Sequence, residues 1–148
     1  MGDLSGQVID RRYQIIERIA DGAMGIVYRA IRLNLDRPVA VKVMHASLRD
    51  EMKGKERFER EAKMMAKLEH PHCVSIIDFG LHGNKPFVVM ELVRGRSLYE
   101  VLVEQGRFEV TRALDIMGQV LSGLAHAHEQ GIIHRDIKPA NIMVTPKA

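Results

Sequence analysis

The residues best suited to chemistry in this 148-residue sequence lie near its end, in His134-Arg135-Asp136-Ile137-Lys138-Pro139-Ala140-Asn141, with apolar Ile142-Met143-Val144 after them. Five polar side chains of particular kinds fall within eight positions, and Pro139 stiffens the segment. An aspartate five residues before an asparagine can present its carboxylate to a substrate hydroxyl while the amide offers an oxygen to a metal. A random polar loop would have to supply all of these types in this order.

A second candidate is Lys42 in Val39-Ala40-Val41-Lys42. Strand alternation puts Ala40 and Lys42 on one face and Val39, Val41 and Val43 on the other. An unpaired ammonium on an apolar surface costs several kcal/mol, so Lys42 needs a counter-charge unless it snorkels to water from an edge. Glu61 lies three residues after Phe58, four before Met65 and seven before Leu68, within the apolar stripe of the next helix. We therefore expect a Lys42–Glu61 ion pair. The third candidate is the turn Ala20-Asp21-Gly22-Ala23-Met24-Gly25, placed between two strands. Dinucleotide folds and Walker loops put their glycines before a helix, so neither fits. At a hairpin tip, glycines can bring backbone N–H groups close to phosphates, although alone such a turn is only a hairpin corner.

The elements that must position these groups follow from periodicity. Alternation predicts strands at Tyr13–Ile19, Ile26–Arg32, Val39–Met44, Val74–Asp78 and Phe87–Glu91, with turns at 34–37 and Gly83-Asn84. Helical spacing predicts Lys53–Leu68, ended by His70-Pro71, with Glu56–Arg60 and Glu59–Lys63 as supporting pairs. It also predicts Leu98–Glu104 and Val110–Glu129; the last carries the stripe Ala113, Met117, Val120/Leu121, Leu124, His128 and ends at Gly131 as C-cap. Residues 1–12 read as a loose leader. A sheet-rich part, 13–92, meets a helical part, 93–148, at a hinge near Val93-Arg94-Gly95, which gives an α+β fold with a five-stranded antiparallel sheet.

In order and kind, these motifs resemble the first half of a eukaryotic-type protein kinase domain of the bacterial serine/threonine class, over about Tyr13 to Val144. The resemblance implies that Ile19 to Val27, including Ala20, Gly22 and Gly25, covers the ATP phosphates. It implies that Lys42, held by Glu61, contacts the α- and β-phosphates. Met90 would be the gatekeeper, Glu91 and Val93 would offer backbone hydrogen bonds to adenine, and Val27, Ala40 and Met143 would sandwich the purine. Asp136 would be the catalytic base, Lys138 would steady the transferred phosphate, and Asn141 would bind Mg2+ accompanying ATP. A lysine two residues after the aspartate is similar to the serine/threonine rather than the tyrosine class.

Two departures stand out. Ala20 replaces the first glycine of the loop. The metal-binding Asp-Phe-Gly, activation loop and Ala-Pro-Glu segment do not follow the catalytic loop, so the domain is expected to be incomplete and inactive alone. Asp78-Phe79-Gly80 spells the metal motif but precedes the catalytic loop, and reads as a strand end and turn. A non-catalytic kinase-like module binding nucleotide or a partner is the competing reading. A small-molecule phosphotransferase is weakened by Lys138-Pro139.

Composition excludes other classes. The chain is 46% hydrophobic and 28% charged, which is globular rather than disordered. A net charge of +3 with interspersed signs, and only 5% aromatics, argue against a nucleic-acid surface. No apolar run approaches a membrane span, there is no signal-peptide layout, and a lone Cys73 suits a reducing, cytoplasmic setting. His70-Pro71-His72-Cys73 suits a turn better than zinc, and His126 and His128, two apart on a helix, cannot share a metal; His128 is expected to pack under the catalytic loop. The nine methionines read as core filler.

Overall fold

The computed structural model describes residues 3–22, 25–45, 51–133 and 137–146, with only the backbone of 51–53. The chain divides into two compact units, Met1–Lys67 with Ser75–Leu92, and Leu68–Val74 with Val93–Ala148.

The first unit is an antiparallel sheet in the order β1-β2-β3-β4-β6-β5. Its strands are β1 (Val8–Ile9), β2 (Tyr13–Asp21), β3 (Gly25–Arg32), β4 (Arg37–Met44), β5 (Ile76–His82) and β6 (Lys85–Glu91), with α1 (Glu51–Ala66) between β4 and β5. The sheet has six strands rather than five, because part of the expected leader joins it. Val8 and Ile9 pair with Gln14 and Tyr13 across a three-residue turn, Asp10-Arg11-Arg12, whose first two residues are in left-handed backbone. Ile9 is fully buried, and Leu4 packs on the same core.

Period-2 alternation explains the sheet's two faces. Ile26, Tyr28, Ala30, Val39, Val41, Val43, Phe87 and Val89 turn inward with Ile9, Tyr13 and Ile15. At about 1.5–3 kcal/mol for each buried large side chain, this face holds the unit together. The opposite face carries Val27, Arg29, Ala40, Lys42, Val88 and Met90.

Asp78-Phe79-Gly80 lies inside β5, not at a strand end, and each residue has a packing task. The Asp78 Oδ2 accepts from the Tyr13 hydroxyl at 2.7 Å and pairs with Arg12 at 2.7 Å, while Oδ1 accepts the Phe79 N–H at 2.9 Å. Phe79 meets Phe58 of α1 edge-on, with ring centroids 5.9 Å apart. A Cβ at position 80 would stand 2.9 Å from the Phe87 ring, so only glycine fits there.

The second unit contains β7 (Arg96–Ser97), α2 (Leu98–Gln105), α3 (Val110–Glu129), a 3-10 turn (Pro139–Asn141) and β8 (Met143–Val144). A capping box opens α2: the Glu100 N–H donates to Ser97 Oγ at 3.1 Å and the Ser97 N–H to the Glu100 carboxylate at 3.3 Å. Gly131, with φ +79°, follows α3 as expected of a residue just past a helix end. The covered side of α3 is shifted from the predicted stripe. Gly123 and Ala127 are buried, whereas Met117, Leu121 and His128 are exposed; residues 134–136 of the loop expected over His128 lie outside the described residues. Segment 68–74 sits on that covered side, with the His72 carbonyl oxygen close enough to exclude a side chain at Gly123. His70 stacks on His126 with centroids 5.3 Å apart and meets Ser122 Oγ at 3.2 Å. No helix among the described residues is long and apolar enough to cross a membrane.

Candidate nucleotide site

Strand register brings several of the sequence candidates onto one surface of the first unit. Ala20 pairs with Val27, Val27 with Lys42, and Lys42 with Val88. One step along, Arg29 pairs with Ala40 and Ala40 with Met90. The result is an apolar face of Val27, Ala40, Val88 and Met90 with one ammonium in it. Lys42 is half-buried, its stem flanked by two valines. Phe79 pairs with Val88 in the same row, so the Phe58–Phe79 contact seats α1 on the Lys42 face.

The glycine turn connects β2 and β3 as predicted. Ile19, Ala20 and Gly22 are exposed, and the Gly22 N–H donates to the Gly25 carbonyl at 3.0 Å. Gly25 is needed for close approach: a Cβ there would overlap the Val43 carbonyl oxygen on β4. Ala23 and Met24, at the tip, lie outside the described residues. The turn also has a contact that sequence reasoning missed, from His45 just beyond β4, whose Nε2 lies 2.9 Å from the Gly22 carbonyl oxygen.

The expected Lys42–Glu61 pair is not formed. Glu61 is 61% exposed and its Oε1 meets Arg57 Nε at 3.2 Å, one turn earlier on α1. None of the ion pairs among the described residues involves Lys42. The physical reason is the helix phase. Phe58 and Ala62, four apart, define the side of α1 that packs on β5, and Ala62 is its buried residue. Glu61 lies on the flank of that side, where Arg57 is within reach, and Met65 is 40% exposed rather than part of a covered stripe.

At the strand end expected to recognise adenine, the Glu91 N–H donates to the Ser75 carbonyl at 3.0 Å, and the Glu91 carboxylate accepts the Ser75 N–H at 3.0 Å. The Glu91 backbone N–H is therefore already taken within the first unit. Met90 and Val93 are both half-buried.

In the second unit, Asn141 closes the 3-10 turn, its N–H donating to the Lys138 carbonyl at 2.9 Å. Met143 pairs with Ser97, and the Leu98 N–H donates to the Ile142 carbonyl at 2.7 Å, which fixes the segment after the catalytic run against the start of α2. Lys138 and Asn141 are exposed. Asp136, with His134 and Arg135, lies outside the described residues. Among the described residues no three His, Cys, Asp or Glu side chains could together hold a metal ion. Asn141 fits as one oxygen ligand of a magnesium ion that keeps waters and phosphate oxygens around it.

Comparison with known proteins identifies the family. The family described as "Protein kinase domain" matches residues 13–148. The serine/threonine-protein kinase pkn2 of Myxococcus xanthus is 43% identical over 141 residues, covering 95% of this chain and 17% of the relative. The PknI kinase domain of Mycobacterium tuberculosis superposes with a TM-score of 0.83 at 28% identity, over 98% of this chain and 60% of that one. Rad53 in complex with AMP-PNP superposes with a TM-score of 0.81 at 29% identity, over 93% of this chain and 36% of that one. The chain thus spans less than a fifth of the pkn2 sequence and under two thirds of the PknI domain. It belongs to the protein kinase family, as the N-terminal part of a catalytic domain whose relatives are serine/threonine kinases.

Proposed function

We propose that the Lys42 face binds ATP and that the chain, within a complete catalytic domain, supports phosphoryl transfer to serine or threonine hydroxyls of proteins. The observation that carries this reading is the register Ala20–Val27–Lys42–Val88, which sets one ammonium in an apolar cradle beside the glycine turn. Val27 and Ala40 suit the purine, with Met90 on the same face and Glu91 at the strand end; Met143 and the backbone of Val93, in the second unit, are assigned to it by the family resemblance alone. Lys42 suits the α- and β-phosphates. Binding of a nucleotide analogue by the relative Rad53 supports the same ligand class.

In the transfer step the substrate oxygen bonds to the γ-phosphorus as the bond to the ADP oxygen breaks. Asp136 takes the hydroxyl proton, and Lys138 steadies the charge on the moving phosphoryl group. Asn141 would help hold magnesium, which supplies neutralising charge to the phosphate oxygens. Such catalysis rests on positioning and electrostatics, so Glu61 must leave Arg57 for Lys42 before the phosphates are held in line. The exposed Arg57–Glu61 pair contributes under about 0.5 kcal/mol and is a small barrier to that exchange. A cytoplasmic setting suits a half-buried free Cys73.

Because no Asp-Phe-Gly follows Asn141, these 148 residues alone are expected to transfer little or no phosphate. ATP titrated into the chain should bind, and Lys42→Ala should weaken it. Autophosphorylation by the isolated chain that Asp136→Asn abolishes would refute the expected inactivity. Wild-type failure to bind ATP would instead favour a module that recognises a partner protein.

A further inference from the structure

His45 belongs to none of the motifs above, yet it reaches back 23 positions to the glycine turn. Its Nε2 lies 2.9 Å from the Gly22 carbonyl oxygen and 3.4 Å from the Asp21 carboxylate. A carbonyl only accepts, so Nε2 carries a hydrogen and donates it. Gly22 in turn donates to Gly25, and Gly25 presses on the backbone of Val43 and Met44. These contacts form a closed ring, from the end of β4 through His45, Gly22 and Gly25 back to β4. The ring joins the base of the turn to the strand that bears Lys42.

Asp21 is the awkward member, a carboxylate beside backbone that is to face phosphates. Arg18 meets its other oxygen at 3.3 Å, so two basic groups flank it. The remaining neighbours in the ring, Gly22, Gly25 and Val43, carry no charge.

We propose that His45 is a positioning residue of the nucleotide site, which holds the glycine turn against β4 and sets an N–H donor beside the Asp21 carboxylate so that the turn accepts a polyphosphate. The inference rests on reading the Lys42 face as a nucleotide site, and adds to it a residue that selects for phosphate rather than base.

The test is calorimetric titration of ATP and of adenosine into the full chain, as wild type, His45→Ala, His45→Gln and Lys42→Ala. Loss of the hydrogen bond to Gly22 should weaken ATP in His45→Ala about five- to tenfold. Adenosine, with no phosphate beneath the turn, should be held as tightly as by the wild type. His45→Gln keeps a donor for Gly22, and should recover part of the ATP affinity. Equal losses for ATP and adenosine would mean general damage to the fold and overturn the proposal. ATP affinity unchanged in His45→Ala but lowered in Lys42→Ala would also overturn it, and leave the nucleotide reading standing. A wild-type chain that binds no ATP would remove both.

Discussion

Two carboxylates in the first unit show how a side chain's partners separate structure from chemistry. Asp78 is spelled like a metal ligand, Asp-Phe-Gly, but both its oxygens are taken: Tyr13 and Arg12 share one, and the Phe79 N–H holds the other. Glu61 looks like an ordinary helix-surface residue, yet its one ion pair among the described residues is an exposed one with Arg57 that costs little to break. The group named by the motif is locked into the scaffold, and the group with no motif is the one able to move. A saturated, half-buried carboxylate fixes the fold; an exposed one on the flank of a helix remains available for Lys42.

The largest effect that could break this contrast is on transfer itself. In a domain extended through its Asp-Phe-Gly segment, Lys42→Ala or Glu61→Ala should lower the rate of phosphate incorporation into a protein substrate by about a hundredfold or more, since phosphate positioning supplies most of the catalysis. Unchanged rates would mean that the two charges never meet in the working enzyme. Asp78→Asn in the same protein should leave the rate within about twofold of wild type, because a scaffold residue does not touch the transition state. A collapse of activity there, without unfolding, would make Asp78 functional and reverse the comparison.

The next effect sharpens the role of α1. Phe58→Ala removes the ring that seats the helix on Phe79, and should cost about 2 kcal/mol, less than a fully buried aromatic would. The measurement is the urea midpoint, with hydrogen exchange across α1 locating the loss. If exchange rises evenly over the sheet instead, α1 is not a separately seated element.

Much of this was legible in the sequence. Alternation located β2 and β3, where one face is buried and the other is not, while β4 and β6 showed as short apolar runs. The Lys42 face was legible for the same reason, since a lysine inside Val-Ala-Val-Lys-Val breaks an otherwise apolar pattern. Val8–Ile9 were not, because two residues are too few to show a period, and their burial depends on Tyr13 and Leu4 rather than on themselves. The Glu61 partner was misread because spacings of three, four and seven describe a broad stripe. Only the position of the buried Ala62 reveals which side of that stripe meets β5. His45 left no signal at all: its contact is with a backbone carbonyl 23 residues away, and backbone geometry is not written in residue type.

Asp78→Asn should also destabilise the chain by about 1–2 kcal/mol, since a neutral amide is a weaker partner for Arg12 and Tyr13. Thermal unfolding at neutral pH checks this, and unchanged stability would undo the assignment of Asp78 to the scaffold.

The smallest effect probes the same network from its other end. Burial of Tyr13, then its hydrogen bond to Asp78, pushes the phenol up from 10.0 to about 12. The folded state therefore keeps the proton that the unfolded chain begins to lose near its ordinary value. Tyr13 stabilises fully below pH 10, and its contribution falls as pH rises from about 10 toward 12, where the unfolded phenol ionises and the folded one does not. Tyr13→Phe should cost about 1 kcal/mol at neutral pH, for one hydrogen bond lost while Arg12 still satisfies Asp78. Its stability should then fall less steeply than that of the wild type across the alkaline window, so the two curves converge. Parallel curves from neutral pH to 12 would mean that neither burial nor the hydrogen bond to Asp78 raises the Tyr13 phenol, and that this end of the network does not hold the proton.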